Sequence, residues 1–223
     1  MGAQHVGRIV GWTAGCALSS LMLGVMFGLP WIGVGVGCSV VATLWVTLWL
    51  PRSAHAAFGA ARFDRAERRY RTIAALAFTT SRERAALLSR AGCDIAAGRL
   101  EPADAALATL EPADTTERVV WLNNRACAAL DAGRDAHAAL VLVDEAIDLR
   151  PDVPAIQHTR ARALLAVGRI DDAIAVLDAM RSGGELSAQL EAERCRDLAK
   201  AWEHKGQAAY ADDYRARARL VAR

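Results

Sequence analysis

The sequence predicts an all-α protein in which an N-terminal transmembrane helical hairpin precedes an α-solenoid of antiparallel helix pairs. Two observations carry this prediction. A long stretch without charge occupies the first quarter of the 223 residues, and a short skeleton of residues recurs three times beyond it. The composition agrees, because 53% of the residues are hydrophobic and only 6% are aromatic. Such a proportion is typical of alanine-rich helices and not of disordered chains.

The uncharged stretch is long enough for two membrane spans. Residues 9–29 and 31–50 carry no charged side chain, and Pro30 separates them. At about 1.5 Å per residue, each segment reaches across the roughly 30 Å hydrocarbon core of a bilayer. A cleaved signal peptide is the alternative, with Ala54-His55-Ala56 as its cleavage site, but the stretch is about twice as long as the apolar region of a signal peptide. An uncleaved hairpin is therefore the favoured interpretation.

The distribution of arginine predicts the orientation of the hairpin. Positive charge stays on the cytoplasmic side during insertion. Arginines flank the pair of spans on both outer sides, whereas the turn at residues 29–31 has no charge. We therefore expect a multi-pass protein of the inner (cytoplasmic) membrane with both termini cytoplasmic. The scarcity of lysine beside abundant arginine and alanine indicates a GC-rich bacterial source.

Glycines within the spans recur at four-residue steps, a spacing that lets helix backbones approach closely in lipid. This spacing predicts helix packing inside the hairpin or against a membrane partner, and the alternative is that glycine is simply common in membrane helices. The positions proposed for such packing are Gly11, Gly15, Gly24 and Gly28.

The recurring skeleton is an Arg-Ala pair followed, after six residues, by Gly-Arg, and it repeats at a constant step of 35 residues. A fixed period of this size indicates stacked units, none of which can bury its apolar face alone. Each glycine falls where the turn between two antiparallel helices favours positive φ. An alanine and a leucine after each glycine are expected at the helix crossings. In the three copies these positions are Ala91, Gly98, Ala103 and Leu107; Ala126, Gly133, Ala138 and Leu142; and Ala161, Gly168, Ala173 and Leu177.

This pattern resembles the tetratricopeptide repeat family, whose units are antiparallel helix pairs of about 34 residues. The best copy runs from Trp121 through Ala126 and Gly133 to Pro151. The resemblance implies a protein-binding scaffold in which the first helix of each unit lines a concave groove. It places six candidates for contact with a protein or peptide partner in that groove: Asn123, Asn124, Cys127, Asp131, His158 and Arg162. The alternative at each position is a solvated polar helix face.

Two features depart from the family pattern, and a helix start lies beside them. Arginine stands where leucine is usual, at Arg90, Arg125 and Arg160. Their aliphatic stems either cover the second helix with the charged heads in water, which is the favoured expectation, or their heads bind acidic groups. The second copy has one extra residue, expected in its second helix or at the end of that helix. Asp114 and Glu117 are typical of an N-cap and its reciprocal glutamate.

These elements divide the chain into four predicted parts. Residues 1–52 form the two-span hairpin. Residues 53–81 form a basic amphipathic linker or a degenerate half repeat, whose first helix continues the second span past Pro51. Residues 82–181 hold the three repeats, and residues 182–223 form a capping helix pair.

The charge distribution argues against nucleic acid as a partner. The formal net charge is +2, but up to residue 80 seven arginines stand against two carboxylates, which gives +5 there and leaves −3 for the rest. Binding to nucleic acid needs the basic patch on the folded domain, and here the folded domain is acidic.

No residue pattern predicts catalysis, a cofactor or a metal site. The five cysteines stand singly, without the paired spacing of a zinc site. Cys127 and His137 are the candidates for a nucleophile and its base, but they lie on opposite sides of the Gly133 turn without a third orienting residue. The prediction is a non-enzymatic, membrane-anchored scaffold or adaptor that binds protein partners at the cytoplasmic face. The alternative is a subunit or assembly factor of an inner-membrane complex, in which the hairpin itself makes the key contacts.

Overall fold

The computed structural model describes residues 3–183 and 186–221, and these contain helices and no strand. The all-α prediction is confirmed. The predicted start of the capping helix pair at residue 182 lies beside residues 184–185, which are outside the described residues. The α-helices are α1 (Ala3–Phe27), α2 (Pro30–Leu44), α3 (Leu50–Gly59), α4 (Phe63–Ala75), α5 (Thr80–Ala96), α6 (Leu100–Thr109), α7 (Thr115–Asp131), α8 (Ala136–Leu149), α9 (Pro154–Ala166), α10 (Ile170–Ala179), α11 (Ala188–His204) and α12 (Ala208–Val221).

The chain forms two compact units. One contains residues 1–58 and 62–93, and the other contains residues 59–61 and 94–223. The first unit therefore holds α1 to α4 and most of α5, and the second holds α6 to α12.

In the first unit, α1 and α2 form a tight hairpin. Gly28 ends α1 with a φ of +99°, and Pro30 opens α2, a position where its missing N–H is not needed. The helices cross where Gly35 faces Ser20, so closely that a Cβ on Gly35 would lie 2.6 Å from the Cα of Ser20. A side chain on Gly24 would likewise collide with that of Ile32.

The glycines proposed for packing in the spans therefore have different roles. Gly24 lets α1 and α2 pack closely, and Gly28 allows the turn between them. Nothing lies within 4 Å of a Cβ built on Gly11 or Gly15. The closest backbone approach is at Gly35, which the four-residue pattern did not include.

The second apolar helix does not stop at Pro51. A π-helical turn at Trp45–Trp49 joins α2 to α3, and the helical run continues to Gly59. The expected continuation past Pro51 is confirmed. Beyond this point α3 packs against α4 and α5 around an apolar core that contains Leu50, Ala54, Ala57, Ala66, Tyr70, Ile73, Ala74, Ala86 and Cys93.

The same turn follows α5, α7, α9 and α11. Gly98, Gly133, Gly168 and Gly206 have φ values from +62° to +80°, as the sequence predicts for the first three. At Gly133 the backbone N–H donates to the carbonyl of Leu130 (3.1 Å), and the N–H of Arg134 donates to that of Ala129 (2.9 Å). These two bonds form a Schellman motif, which satisfies the last carbonyls of the preceding helix.

The small residues of the first and third copies are buried, as expected for residues between packed helices. Ala103 and Ala173 are fully buried, and Ala91 and Ala161 on the preceding helices are at most 1% exposed. The larger core side chains beside them include Leu107, Leu122, Val143, Leu164 and Leu177, each at most 1% exposed. Burial of each such side chain stabilises the fold by roughly 1.5–3 kcal/mol relative to exposure.

The second copy is one residue out of register, and the prediction for its second helix is wrong. Ala138 is exposed, whereas Ala139 and Val143 are fully buried. The extra residue lies in the turn, because Asp135 is inserted as an N-cap whose carboxylate accepts from the N–H groups of His137 (2.9 Å) and Ala138 (3.1 Å). The insertion rotates the following helix by one position.

The three arginines of the skeleton bind groups of their own chain. Arg90 donates to Glu67 and Arg160 donates to Asp144, each at 2.7 Å, whereas the guanidinium of Arg125 lies 4.8 Å from the centre of the Trp121 ring. The favoured expectation that their heads lie in water therefore fails for Arg90 and Arg160.

Candidate partner-binding site

A strip of polar side chains runs along the first helices of successive pairs, α7, α9 and α11. On α7, Asn123, Cys127 and Asp131 follow one another at four-residue steps, so they share one helix face. That face meets α9, where the Cys127 Sγ lies 3.3 Å from the Thr159 Oγ1 and Asp131 forms an ion pair with Arg162. These side chains, with the ones that continue the strip onto α11, form what we call the polar seam: Asn123, Cys127, Asp131, His158, Thr159, Arg162, Glu193 and Asp197.

Between α9 and α11 the polar seam is buried. The Nε2 of His158 and the Oδ2 of Asp197 are 2.9 Å apart, and these residues are only 7% and 5% exposed. The Nδ1 of His158 lies 4.0 Å from the Oε2 of Glu193. Lys200 donates to the other oxygen of Asp197 at 2.7 Å. Asp197 thus joins the third repeat to the helix that follows it.

The buried carboxylate of Asp197 is stabilised in its charged form. Burial by itself would raise the pKa of Asp197, but hydrogen bonds from His158 and Lys200 outweigh burial and lower that pKa below its ordinary value. The ionised carboxylate therefore belongs to the folded state, and its two partners come from different helices.

The two asparagines differ in their surroundings. Asn124 is buried at 8% exposure on α7, so its side chain belongs to the interior of the unit. The Oδ1 of Asn123 is a buried atom that accepts no hydrogen bond from the described residues. A buried amide oxygen without a donor is uncommon, and it can accept from a partner molecule only after the side chain turns toward the surface.

The structure thus brings four of the six predicted residues into contacts that cross the first helices: Cys127, Asp131, His158 and Arg162. Sequence reasoning missed Thr159, Glu193 and Asp197. Glu193 and Asp197 lie four residues apart on α11, but several other charged residues share that helix, so spacing alone did not mark the pair as part of the strip.

The polar seam lacks the features of a nucleophilic site. Burial is the largest effect on Cys127 and raises the pKa of its thiol, whereas a nucleophilic cysteine needs a lowered pKa. His137 lies exposed in the first turn of α8, and the side-chain contact of Cys127 is to Thr159 instead. Among residues 3–183 and 186–221, no group of three His, Cys, Asp or Glu side chains could hold a metal ion.

Stacked helix pairs with one kind of glycine turn, and with a polar strip along their first helices, define an α-solenoid of helical hairpins. Residues 129–185 match the tetratricopeptide repeat family. This match confirms the resemblance seen in the sequence over that part of the chain. No curated protein and no solved structure matches the chain at a significant level. Because these repeats are a protein-interaction module, the match supports an interaction scaffold.

Proposed function

We propose that this protein is a membrane-anchored scaffold that binds protein partners at the cytoplasmic face of the inner membrane. The observation that carries this proposal is the unbroken helical run from Pro30 to Gly59. Its first part is apolar and exposed, and its last part belongs to the core shared by α3, α4 and α5. The anchor and the first helical layer are therefore one structural element.

The surface of the hairpin supports insertion into lipid. The helical segments Val10–Phe27 and Pro30–Gly59 each contain an 18-residue apolar window. These windows have mean hydropathies of 1.6 and 1.8, and only 6% and 11% of them are buried within the chain. A helix in the core of a soluble protein would be mostly buried. Exposed apolar surface of this extent needs a cover. A bilayer matches the length of Val10–Phe27 and of the part of the second run that ends at Trp49.

The orientation follows from charge. Arg52 and the arginines of α4 follow the second span directly, and the turn around Gly28 has no charge. Because positive flanks remain on the cytoplasmic side, the repeats are expected there, where partners would meet them.

The polar seam is the proposed partner site. Most of its groups already bond to one another, so the capacity left for a partner lies at the Asn123 Oδ1 and at the side chains of Arg162 and Glu193, which are 29% and 36% exposed. An extended peptide offers N–H donors for Asn123 and Glu193 and carbonyl or carboxylate acceptors for Arg162.

Membrane insertion and orientation can be tested in isolated membranes. Carbonate washing should leave the full-length chain in the membrane pellet. An Ala216→Cys variant carries a cysteine at an exposed position of α12, and it should react with an impermeant maleimide only after the cytoplasmic side is opened. A soluble, shortened chain would contradict the anchor, and labelling from the outer side would contradict the orientation.

Partner binding can be tested by capture from detergent-solubilised membranes. The double variant Asn123→Ala, Arg162→Gln should lose a co-purifying protein by about tenfold, because it removes one open acceptor and one charged donor. Val141→Ala is the matched control, since Val141 is 68% exposed on α8, a second helix. If both variants retain the partner equally, the polar seam is not the binding site.

The glycines at the start of α1 favour a second candidate function, in which the hairpin docks within a membrane complex. Gly11 and Gly15 have open space where a side chain would lie, so another helix could approach this face closely. A photo-crosslinking residue placed at Gly11 should then capture a membrane protein, whereas one placed at Leu18, which is 60% exposed, should capture mainly lipid. Equal results at both positions would leave the hairpin as an anchor alone.

A further inference from the structure

The helices α3 and α4 form an antiparallel pair directly beyond the second apolar helix. At the far end of this pair, the rings of Phe58 and Phe63 lie 5.5 Å apart. At the near end, the Nη1 of Arg69 donates to the carbonyl of Ser53 at 2.5 Å, and its guanidinium lies 5.6 Å from the centre of the Trp49 ring. The middle of α4 is therefore at the level where the second helix passes from Trp49 to Ser53.

This level is the expected boundary of the hydrocarbon. From Pro30 to Trp49 the helical run covers about 30 Å at 1.5 Å per residue, which matches the hydrocarbon core. Tryptophan prefers the interface between hydrocarbon and headgroups, and Trp45 stacks on Trp49 there with ring centres 5.5 Å apart. Side chains one turn beyond Trp49 thus lie among the lipid headgroups.

Arginines gather at this level. Arg52 lies one turn beyond Trp49 and is exposed, Arg68 is exposed on α4, and the Arg71 side chain is 62% exposed. With Arg69 they form what we call the basic collar: Arg52, Arg68, Arg69 and Arg71. The first unit as a whole has ten arginines against three carboxylates, a net charge of +7, which leaves −5 for the second unit.

Glu67, the carboxylate that contacts the basic collar, already has two arginine partners. Glu67 is 6% exposed, and its Oε1 accepts from Arg71 (2.8 Å) and from Arg90 (2.7 Å). Desolvation, followed by repulsion from Arg65, lowers the pKa of Arg69 below its ordinary value. The surroundings of α4 therefore favour an anion from outside the chain.

We infer that the basic collar binds the headgroups of anionic phospholipids in the bilayer that holds the hairpin, and so fixes α4 at the membrane surface. The inference rests on the proposed membrane anchor. Anionic lipid is favoured over an acidic protein because the basic collar lies at the boundary set by Trp49, where headgroups are the neighbouring anions. Each arginine near an anionic surface strengthens such binding by about fivefold.

The test is hydrogen–deuterium exchange of the full chain reconstituted in nanodiscs of pure phosphatidylcholine and in nanodiscs with one third phosphatidylglycerol. We expect the amides of residues 63–75 to exchange about fivefold more slowly in the anionic discs than in the neutral ones. The difference should disappear in 0.5 M NaCl, where the screening length is about 4 Å.

Two variants separate charge from packing. Arg68→Gln with Arg71→Gln should remove most of the dependence on lipid, because only Arg52 and Arg69 of the basic collar remain, and Glu67 keeps Arg90 as a partner in this variant. Arg68→Lys with Arg71→Lys should retain most of the dependence, because the charge is kept. The control Arg118→Gln with Arg219→Gln removes the same charge from exposed sites of the second unit and should behave as the unchanged chain.

Equal exchange in both lipids, or a lipid dependence that the double glutamine change does not reduce, would overturn the inference. Flotation of the chain with neutral liposomes tests the anchor independently. If the chain floats without any effect of anionic lipid, the anchor stands and the basic collar has no lipid ligand. If it does not float, the anchor itself is wrong.

Discussion

Arg82 donates hydrogen bonds to the backbone carbonyls that Pro51, without an N–H, cannot bind. The Nη2 of Arg82 donates to the carbonyl oxygens of Val46 (2.8 Å) and Thr47 (3.3 Å). These carbonyls lie five and four residues before Pro51, whose ring nitrogen has no hydrogen to donate to either of them. A proline within a helical run is tolerated here because a π-helical turn and an arginine from α5 replace the missing bond.

The pairing of Arg82 with Pro51 predicts a coupling between the two positions. Arg82→Ala should destabilise the first unit by about 1–3 kcal/mol, since it leaves partly buried carbonyls without a donor. In a Pro51→Ala background the same change should cost less, because an alanine N–H can serve one of the carbonyls. Thermal unfolding of the four proteins of this cycle in detergent measures the coupling. Additive effects would mean that Arg82 does not compensate for the proline.

Gly133 should be sensitive to any side chain. Its φ of +62° is unfavourable for residues with a Cβ, by roughly 1–2 kcal/mol, so Gly133→Val should lower the melting temperature and Gly133→Ala should lower it less. Gly59 is the control, because it ends α3 without positive φ and has open space around its Cα. Gly59→Ala is expected to leave the melting temperature unchanged or to raise it. Equal effects at both glycines would contradict the turn.

The register of α8 can be tested with neighbouring alanines. Ala139 is fully buried and Ala138 is exposed. Ala139→Leu should therefore destabilise the second unit by about 1–3 kcal/mol through overpacking, whereas Ala138→Leu should change its stability by less than about 0.5 kcal/mol. Urea unfolding followed by circular dichroism measures both. The reverse order would restore the register expected from the constant 35-residue step.

The Asp197 carboxylate makes the stability of the second unit depend on acid pH. Because its folded pKa is lowered, its contribution is fully present above the unfolded pKa of about 3.9 and is lost as the pH falls through the folded value. Asp197→Asn should thus cost about 1–3 kcal/mol at pH 7 and should flatten the loss of stability below about pH 4.

Asp213 is the matched control for Asp197, since it pairs with Arg217 at the surface with its side chain 52% exposed. Asp213→Asn should change the stability by less than about 0.5 kcal/mol at any pH. Urea unfolding at a series of pH values compares the variants. An Asp197→Asn protein with the pH profile of the unchanged chain would show that the carboxylate adds nothing to folding.

The repeating fold could be predicted because its signals are local. A glycine between two helical patterns indicates a turn whatever surrounds it, and Asp114 accepts from the N–H of Glu117 at 2.8 Å as the N-cap pattern predicts. The shift in the second copy was not predicted because Ala138 and Ala139 are chemically identical in the sequence. Only the N-cap at Asp135 decides which of the two faces the core.

Less of the candidate site could be predicted from the sequence. The sequence predicts His158 and Cys127 as site residues because they lie on first helices. The partner of His158, however, is 39 residues away on α11. No spacing rule links positions on helices that belong to different pairs. The packing of α9 against α11 determines that contact.

The sequence by itself determined the helical class, the repeat period, the glycine turns and the apolar hairpin, since each follows from the order of neighbouring residues. Only the tertiary structure decided that Arg90 binds Glu67, that Arg82 serves the carbonyls before Pro51 and that Asp197 holds His158. The physical reason is the distance along the chain over which each kind of interaction acts. Turn and helix preferences act over a few bonds along the chain, whereas ion pairs and buried hydrogen bonds depend on which helix faces meet after packing.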